Sequence, residues 1–342
     1  MDYRLETNRR EAFIRWFAWS VKYDDCDPAV WATNYLNNRY EHNDEQKLWF
    51  AWLYGNTYNL PTAWVLMNEF PDFELATVDR MEKWNAENYK QLRYQTDTKW
   101  NKGHLPVMFA SYKEYIGKGS QRDKFNSICK FGTGGSDQNF DLLWNSVKDS
   151  LHKFGRYSTW FYLQHLRHTA GVSVNPTSLM LSDYSGSRSH RNGLLFATGK
   201  DNDYDRKLSG PEYARLEVEA KSILEETQSR FPQLVEQIDF FTMETCLCSF
   251  KKIFREHHGR YLGYYLDRQA EEITKAESDG WYGIDWDVLW QSREETIDLR
   301  LDHKRGIDKE KFSTFVRTGQ MEKLEWMFND EQPLSMGLEA FA

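Results

Sequence analysis

The chain has 342 residues, enough to bury a large core as one big domain or two ordinary ones. Aromatic residues make up 16% of it, including 14 Trp, which excludes a low-complexity or disordered chain. A net charge of −8 argues against indiscriminate nucleic-acid binding, yet screening within about 10 Å leaves a single basic face able to hold an anion.

Apolar spacing is helical nearly throughout, which predicts an all-α fold. Residues 8–22 place Phe13, Ile14, Phe17 and Val21 on one face. Asn43-Asp44-Glu45-Gln46 reads as a helix cap with an acidic first turn, followed by Leu48, Trp49, Trp52 and Leu53, with Gly55 as the stop. Pro61 opens a helix that runs through Phe70, and Pro71 stops it. Helices are predicted over 76–92 and 105–116, separated by a loop from Tyr94 to Gly103. Phe131 to Ser136 breaks the chain, and Ser136 or Asp137 caps a helix bearing Phe140, Leu143, Val147 and Leu151. Ser209-Gly210-Pro211-Glu212 is a capping box for a helix to Arg230. Further helices are predicted at 233–256, 260–277, 285–297, 308–318 and 320–329. Asp201 to Lys207 is the best linker, dividing a core over 1–207 from a C-terminal helical region over 208–342 packed on it.

No apolar run approaches the length of about 18 residues that spans a bilayer, and the start MDYRLETNRREAF is charged, so neither a membrane partner nor a secretory leader is expected. Cys26, Cys129, Cys246 and Cys248 form no disulfide framework, which fits a cytoplasmic protein. There is no GxxxxGK[ST] motif. The glycines around Gly134 and Gly135, before Ser136, could form an anion nest, although a plain loop tip explains them as well. His165 with His168, and His257 with His258, lack the spacing of a metal site. Trp at helical spacing in the first third reads as core. Lys99 and Lys102 flank Trp100 in a way that suits a phosphate rim. Lys251, Lys252, Arg255 and Arg260 read as a solvated face.

The most informative stretch is Lys153 to Gly193. Residues 151–200 carry six Lys/Arg, one Asp and four His, a basic island in an acidic chain. A turn at Phe154-Gly155-Arg156-Tyr157-Ser158-Thr159 lies between two amphipathic helices, and a Gly/Ser loop with Arg188, His190 and Arg191 follows Ser182-Asp183-Tyr184. This stretch, with Asp183 28 residues beyond Gly155, resembles the helix-hairpin-helix DNA glycosylases, although His152-Lys153-Phe154 replaces the usual LPG and the interval is slightly long. In those enzymes the turn holds DNA backbone and the aspartate points at the extruded nucleotide, which here would make Gly155, Arg156, Tyr157 and Ser158 a DNA clasp.

A second resemblance rests on Trp31 to Arg39, Asn43 to Trp49, Leu53 to Tyr58, Pro61 to Trp64, Glu69-Phe70-Pro71, and Asp97-Thr98-Lys99 to Lys102. Together these are similar to the bacteriophage amino acid:DNA transferases, also called the alpha-glutamyl/putrescinyl thymine pyrophosphorylase family. That family is glycosylase-like and helical, in agreement with the first resemblance, and the C-terminal third is covered weakly. The resemblance implies an enzyme of thymidine hypermodification. A phage kinase first pyrophosphorylates 5-hydroxymethyluracil in DNA, and a free amino acid of the glycine, serine or glutamate class then displaces pyrophosphate through its amine. On this reading Asp183 is the base or orients the amine, Arg188 and Arg191 hold pyrophosphate or the amino-acid carboxylate, and Lys99 and Lys102 are second candidates for pyrophosphate. Gln46, Tyr54 and Tyr58 would face the base, or else only pack helices. No cofactor is required, though a divalent ion could accompany pyrophosphate. A DNA glycosylase and a non-catalytic helical DNA-binding phage protein are the alternatives.

Overall fold

Short local signals set most helix starts. In the computed structural model, which describes residues 4–94, 102–129, 135–183, 188–204, 206–253, 260 and 263–296, the described residues form helices joined by turns, with no strand among them. In chain order the helices are α1 (Arg9–Lys22), α2 (Pro28–Arg39), α3 (Asp44–Thr57), α4 (Leu60–Glu69), α5 (Val78–Asn88), α6 (Leu105–Ile116) and α7 (Gln121–Ile128). There follow α8 (Ser136–Ser150), α9 (Arg156–Ala170), α10 (Ser189–Ala197), α11 (Gly210–Arg230), α12 (Phe240–Phe250), α13 (Tyr264–Ser278) and α14 (Asp287–Thr296). The all-α expectation holds. The helices predicted at 308–318 and 320–329 lie outside the described residues.

Asn43 and Gln46 close a reciprocal capping box on α3, each side chain accepting the other's amide N–H at 3.0 Å. Glu212 accepts from the Ser209 amide at 2.7 Å at the start of α11. Pro61 stands in the first turn of α4, where a missing N–H costs nothing. Gly55 does not end α3. The helix continues to Thr57, and Tyr58 stops it in a left-handed conformation with φ 45°. The glycine instead permits a close crossing: a Cβ there would lie 2.7 Å from Tyr162 Cβ on α9. Gly193 plays the same part between α10 and α12, where a Cβ would lie 2.1 Å from the Leu247 carbonyl oxygen.

The α3–α9 crossing is the centre of the molecule. Around it, α4 lies on α3, α8 and α2 lie on α9, and α12 lies on α1 and α10. Helices from both sides of residue 207 interleave, since α11 and α12 pack on α1 while α13 and α14 pack on α2. The tryptophans do serve the core, as their spacing suggested: Trp49, Trp52 and Trp160 are fully buried. The predicted helix over 233–256 is shorter, because Asp239 accepts from the Thr242 amide and starts α12 there. His190 and Arg191, expected in a Gly/Ser loop, lie in helix α10, and both side chains are buried.

Candidate active site

Where the end of α3 and the start of α9 meet α2, α12 and α13, the helices leave a cavity of about 240 Å³. That is a little below the usual range of ligand pockets. Tyr54, Tyr58, Tyr157, Phe161 and Tyr265 form its aromatic wall. Tyr58 lies 4.0 Å from Phe161 and edge-on to Tyr157 at 5.2 Å between ring centroids. Tyr54 stacks on His165 at 3.9 Å, and burial holds that imidazole neutral, down to about 3. Burial likewise pushes the Tyr54, Tyr58 and Tyr265 hydroxyls well above their usual value, so they stay neutral donors.

Charged side chains complete the wall: Asp27, Glu244, Lys252, Arg260, Arg268 and Glu272. Asp27 stands at the N-terminus of α2 but does not cap it. Its carboxyl instead accepts from Gln164 Nε2 at 2.6 Å and Thr245 Oγ1 at 3.2 Å. Burial pushes it well above the usual carboxylate range; those two donors pull it back, and the neighbouring Glu244 pushes it further up. Glu244 is held by the Arg156 guanidinium at 3.1 Å, both fully interior. Glu272 accepts from Arg268 at 3.1 Å. Arg260 lies 3.5 Å over the Tyr264 ring, and desolvation pulls its guanidinium down from its usual value.

Asp25 fixes the far wall. Its carboxylate accepts from the amides of Gly263, Tyr265 and Leu266 at 2.9, 2.9 and 3.2 Å, capping α13 from another part of the chain. Ser189 Oγ lies 2.9 Å from Cys248 Sγ on the cavity wall and accepts from Lys251 Nζ at 2.6 Å. Among the described residues no group of three or more His, Cys, Asp or Glu is placed to hold a metal ion.

Of the residues singled out in the sequence, Tyr54, Tyr58 and Tyr157 meet at this cavity. Gln46 serves the α3 cap, with Nε2 3.5 Å from the Pro71 carbonyl oxygen. The turn between α8 and α9 comes earlier than predicted: it is Leu151 to Gly155, with Lys153 at φ 67°, and Arg156 to Ser158 are already helical. Gly155 caps α9 with no side-chain bond, Ser158 is buried, and Arg156 faces Glu244 and the Leu179 carbonyl rather than solvent. Asp183 pairs with Lys148 and does not line the cavity. Arg188 is exposed at the start of α10, whereas Arg191 is buried and donates to Asn192 Oδ1 and the Tyr204 carbonyl. Gly135 caps α8 and Ser136 begins it; Lys102 Nζ donates to the Lys90 carbonyl at 3.4 Å. Lys99, Gly134, His257 and His258 lie outside the described residues.

Half of the basic island is therefore spent inside the fold, while Lys153, Arg188 and Lys200 stay exposed. Arg156 answers Glu244, Arg167 answers Asp239 at 2.8 Å, and Arg191 is spent on backbone and amide oxygens. The solvated face expected of Lys252 and Arg260 is also corrected, since both line the cavity. Asp27 and Arg260 were missed as site residues. Asp27-Pro28 has the look of an ordinary helix start, and Arg260 sits in a basic run; only a cap that fails to cap would have given a signal.

An all-α chain that gathers charged groups around an aromatic-walled cavity is arranged to do chemistry on a bound molecule. The sequence profile of the amino acid:DNA transferase family matches residues 21–258, which take in the cavity wall from Cys26 to Lys252, and the chain belongs to that family. A protein of Salmonella phage ViI described as a serinyltransferase is 27% identical over 348 residues, covering 93% of this chain and 83% of that protein. No solved structure matches the chain. The protein is a transferase, and its substrates are an amino acid and DNA.

Proposed function

We propose that the cavity is the active site for replacing pyrophosphate on pyrophosphorylated 5-hydroxymethyluracil in DNA by the amine of a free amino acid. The observation that carries this reading is the joining, in one cavity, of an aromatic wall to both acidic and basic side chains. The reacting methylene sits on the base, so the nucleotide must leave the stack, and Tyr54, Tyr58, Tyr157 and Tyr265 offer the surfaces a flipped pyrimidine would lie against. Pyrophosphate must be stabilised as charge builds on its bridging oxygen, a task that suits Lys252 and Arg268. The N-terminus of α9 at Gly155, which no side chain caps, would face the DNA backbone.

The reaction would follow a phage DNA kinase in the host cytoplasm, and the name of the phage ViI relative makes serine the first donor to try. No described helix is long and apolar enough to cross a membrane. The test is mass spectrometry of nucleosides after incubating pyrophosphorylated 5-hydroxymethyluracil DNA with a pool of amino acids. One new nucleoside mass, with release of pyrophosphate, is expected. Abasic sites in place of a mass gain would mean a glycosylase, and unchanged nucleosides with DNA bound would mean a binding protein.

A further inference from the structure

The charges of the cavity do not all cancel within the protein. Glu244 is answered by Arg156 and Glu272 by Arg268, and Lys252 has contacts of its own. Two groups remain. Among the described residues Asp27 meets only the neutral donors Gln164 and Thr245, and no cation pairs with it. Arg260 meets no carboxylate among the described residues, and its Nε is buried without an acceptor. A charge partly withdrawn from water without a counter-charge is unfavourable, and two such groups of opposite sign line one cavity. Asp27 has also given up the capping of its own helix. Gln269, buried on the same wall, leaves its Nε2 donors unused.

A ligand with an ammonium and a carboxylate a few bonds apart satisfies both groups at once. We propose that Asp27 and Arg260 form the donor subsite, with Asp27 receiving the α-ammonium and Arg260 the α-carboxylate of the incoming amino acid. This rests on the cavity being the active site. In the transfer step the ammonium proton passes to the Asp27 carboxylate, and the freed nitrogen lone pair forms the N–C bond to the methylene of the base. The C–O bond breaks, and pyrophosphate departs with the electron pair. Asp27 is thereby a catalytic residue and Arg260 the one that reads the donor. The donor is an α-amino acid, and an amine that lacks the carboxylate is refused.

The test measures kcat/KM on pyrophosphorylated 5-hydroxymethyluracil DNA for glycine, L-serine and L-glutamate, each against its own α-carboxamide, and for ethanolamine. For the accepted donor, the wild-type enzyme should prefer the acid to its carboxamide by about tenfold or more, the worth of one charge-assisted pair. In Arg260→Gln that preference should collapse toward one, and Arg260→Lys should restore part of it. Asp27→Asn should lower kcat by about 10²–10⁴. The subsite is overturned if the wild-type enzyme uses acid and carboxamide equally, a result that needs no variant to fold, or if Arg260→Gln slows both alike. Calorimetric titration of L-serine and L-serinamide into the free enzyme separates the two layers of the argument. Selective binding of the acid, lost in Arg260→Gln, with no transfer to this DNA would sink the proposed reaction and keep the subsite.

Discussion

Helix α3 passes through two different environments. Trp49 and Trp52 stack on each other at 5.0 Å, and Trp52 stacks on Tyr112 at 4.8 Å, with Phe73 and Phe109 closing a dry cluster around them. Little more than a turn further on, Tyr54 and Tyr58 face the cavity with its acids and bases. Helix α9 repeats the division, with Trp160 and Tyr162 in the core and Tyr157 and Phe161 at the cavity. Burial of large aromatic surface stabilises the first side by roughly 1.5–3 kcal/mol per side chain. The second side holds charges that the protein leaves partly uncompensated, which only a well-packed neighbour can support. One helix pair thus joins the stabilising region to the reacting region, and mutations on its two sides should separate stability from activity.

The largest effect is expected where both properties meet. Arg156→Met strands Glu244 in the interior and should destabilise the fold by about 3–5 kcal/mol, seen in urea unfolding. It should also lower transfer, because Glu244 lines the cavity. The double variant Arg156→Met/Glu244→Leu should recover most of the stability and none of the activity; recovery of both would mean that Glu244 has only a structural role. On the dry side, Trp52→Ala should also remove about 3–5 kcal/mol. Here the rate per folded molecule should persist at low temperature, and a lost rate with unchanged KM would join the two sides more tightly than the geometry suggests.

A smaller effect should follow pH. His165 is buried, and its ring is held down to about 3, whereas in the unfolded chain it titrates near 6.5. A group whose folded value is depressed stabilises the fold above the unfolded value, and that stabilisation fades as pH falls toward the folded one. His165 alone should therefore cost about 2 kcal/mol of stability at pH 5 relative to pH 8. His165→Gln should flatten that part of the pH–stability curve. An unchanged slope would assign the acid sensitivity to other groups, His42 first among them, since burial holds it to about 4.

Most helix starts were legible in the sequence because they depend on neighbours three residues apart. Asn43 with Gln46 and Ser209 with Glu212 are local facts that survive folding. The end of α3 was not legible, since Gly55 serves a crossing with Tyr162, more than a hundred positions away. Helix α10 was hidden for a related reason: Ser189, Arg191 and Gly193 resemble a loop until packing on α12 buries Arg191 and Gly193. The site was half legible. Tyr54, Tyr58 and Tyr157 stood in stretches already marked by family resemblance, whereas Asp27, Glu244, Arg260 and Arg268 come together only in three dimensions. Charge counted along the chain misled most, because pairs such as Arg156–Glu244 join residues far apart in sequence.

The smallest predicted effect bears hardest on the choice between the two candidate reaction sites. The resemblance to glycosylases puts the reacting aspartate at Asp183, while the cavity puts it at Asp27. Asp183 follows Leu179 and Leu181, whose amides donate to Glu217 at 2.9 and 2.7 Å, and its carboxylate pairs with Lys148 on α8. That pair is mostly screened from solvent, so Asp183→Asn should cost about 1 kcal/mol of stability. Transfer should stay within about twofold of wild type, as for substitutions away from a site. The comparison requires Asp27→Asn in the same assay. Should Asp183→Asn abolish transfer while Asp27→Asn leaves it intact, the reaction belongs to the segment after α9, and the cavity must take another ligand. The reverse result would leave Asp183 as a tie between that segment and α8, placing the proton transfer among the aromatic side chains that α3 and α9 share.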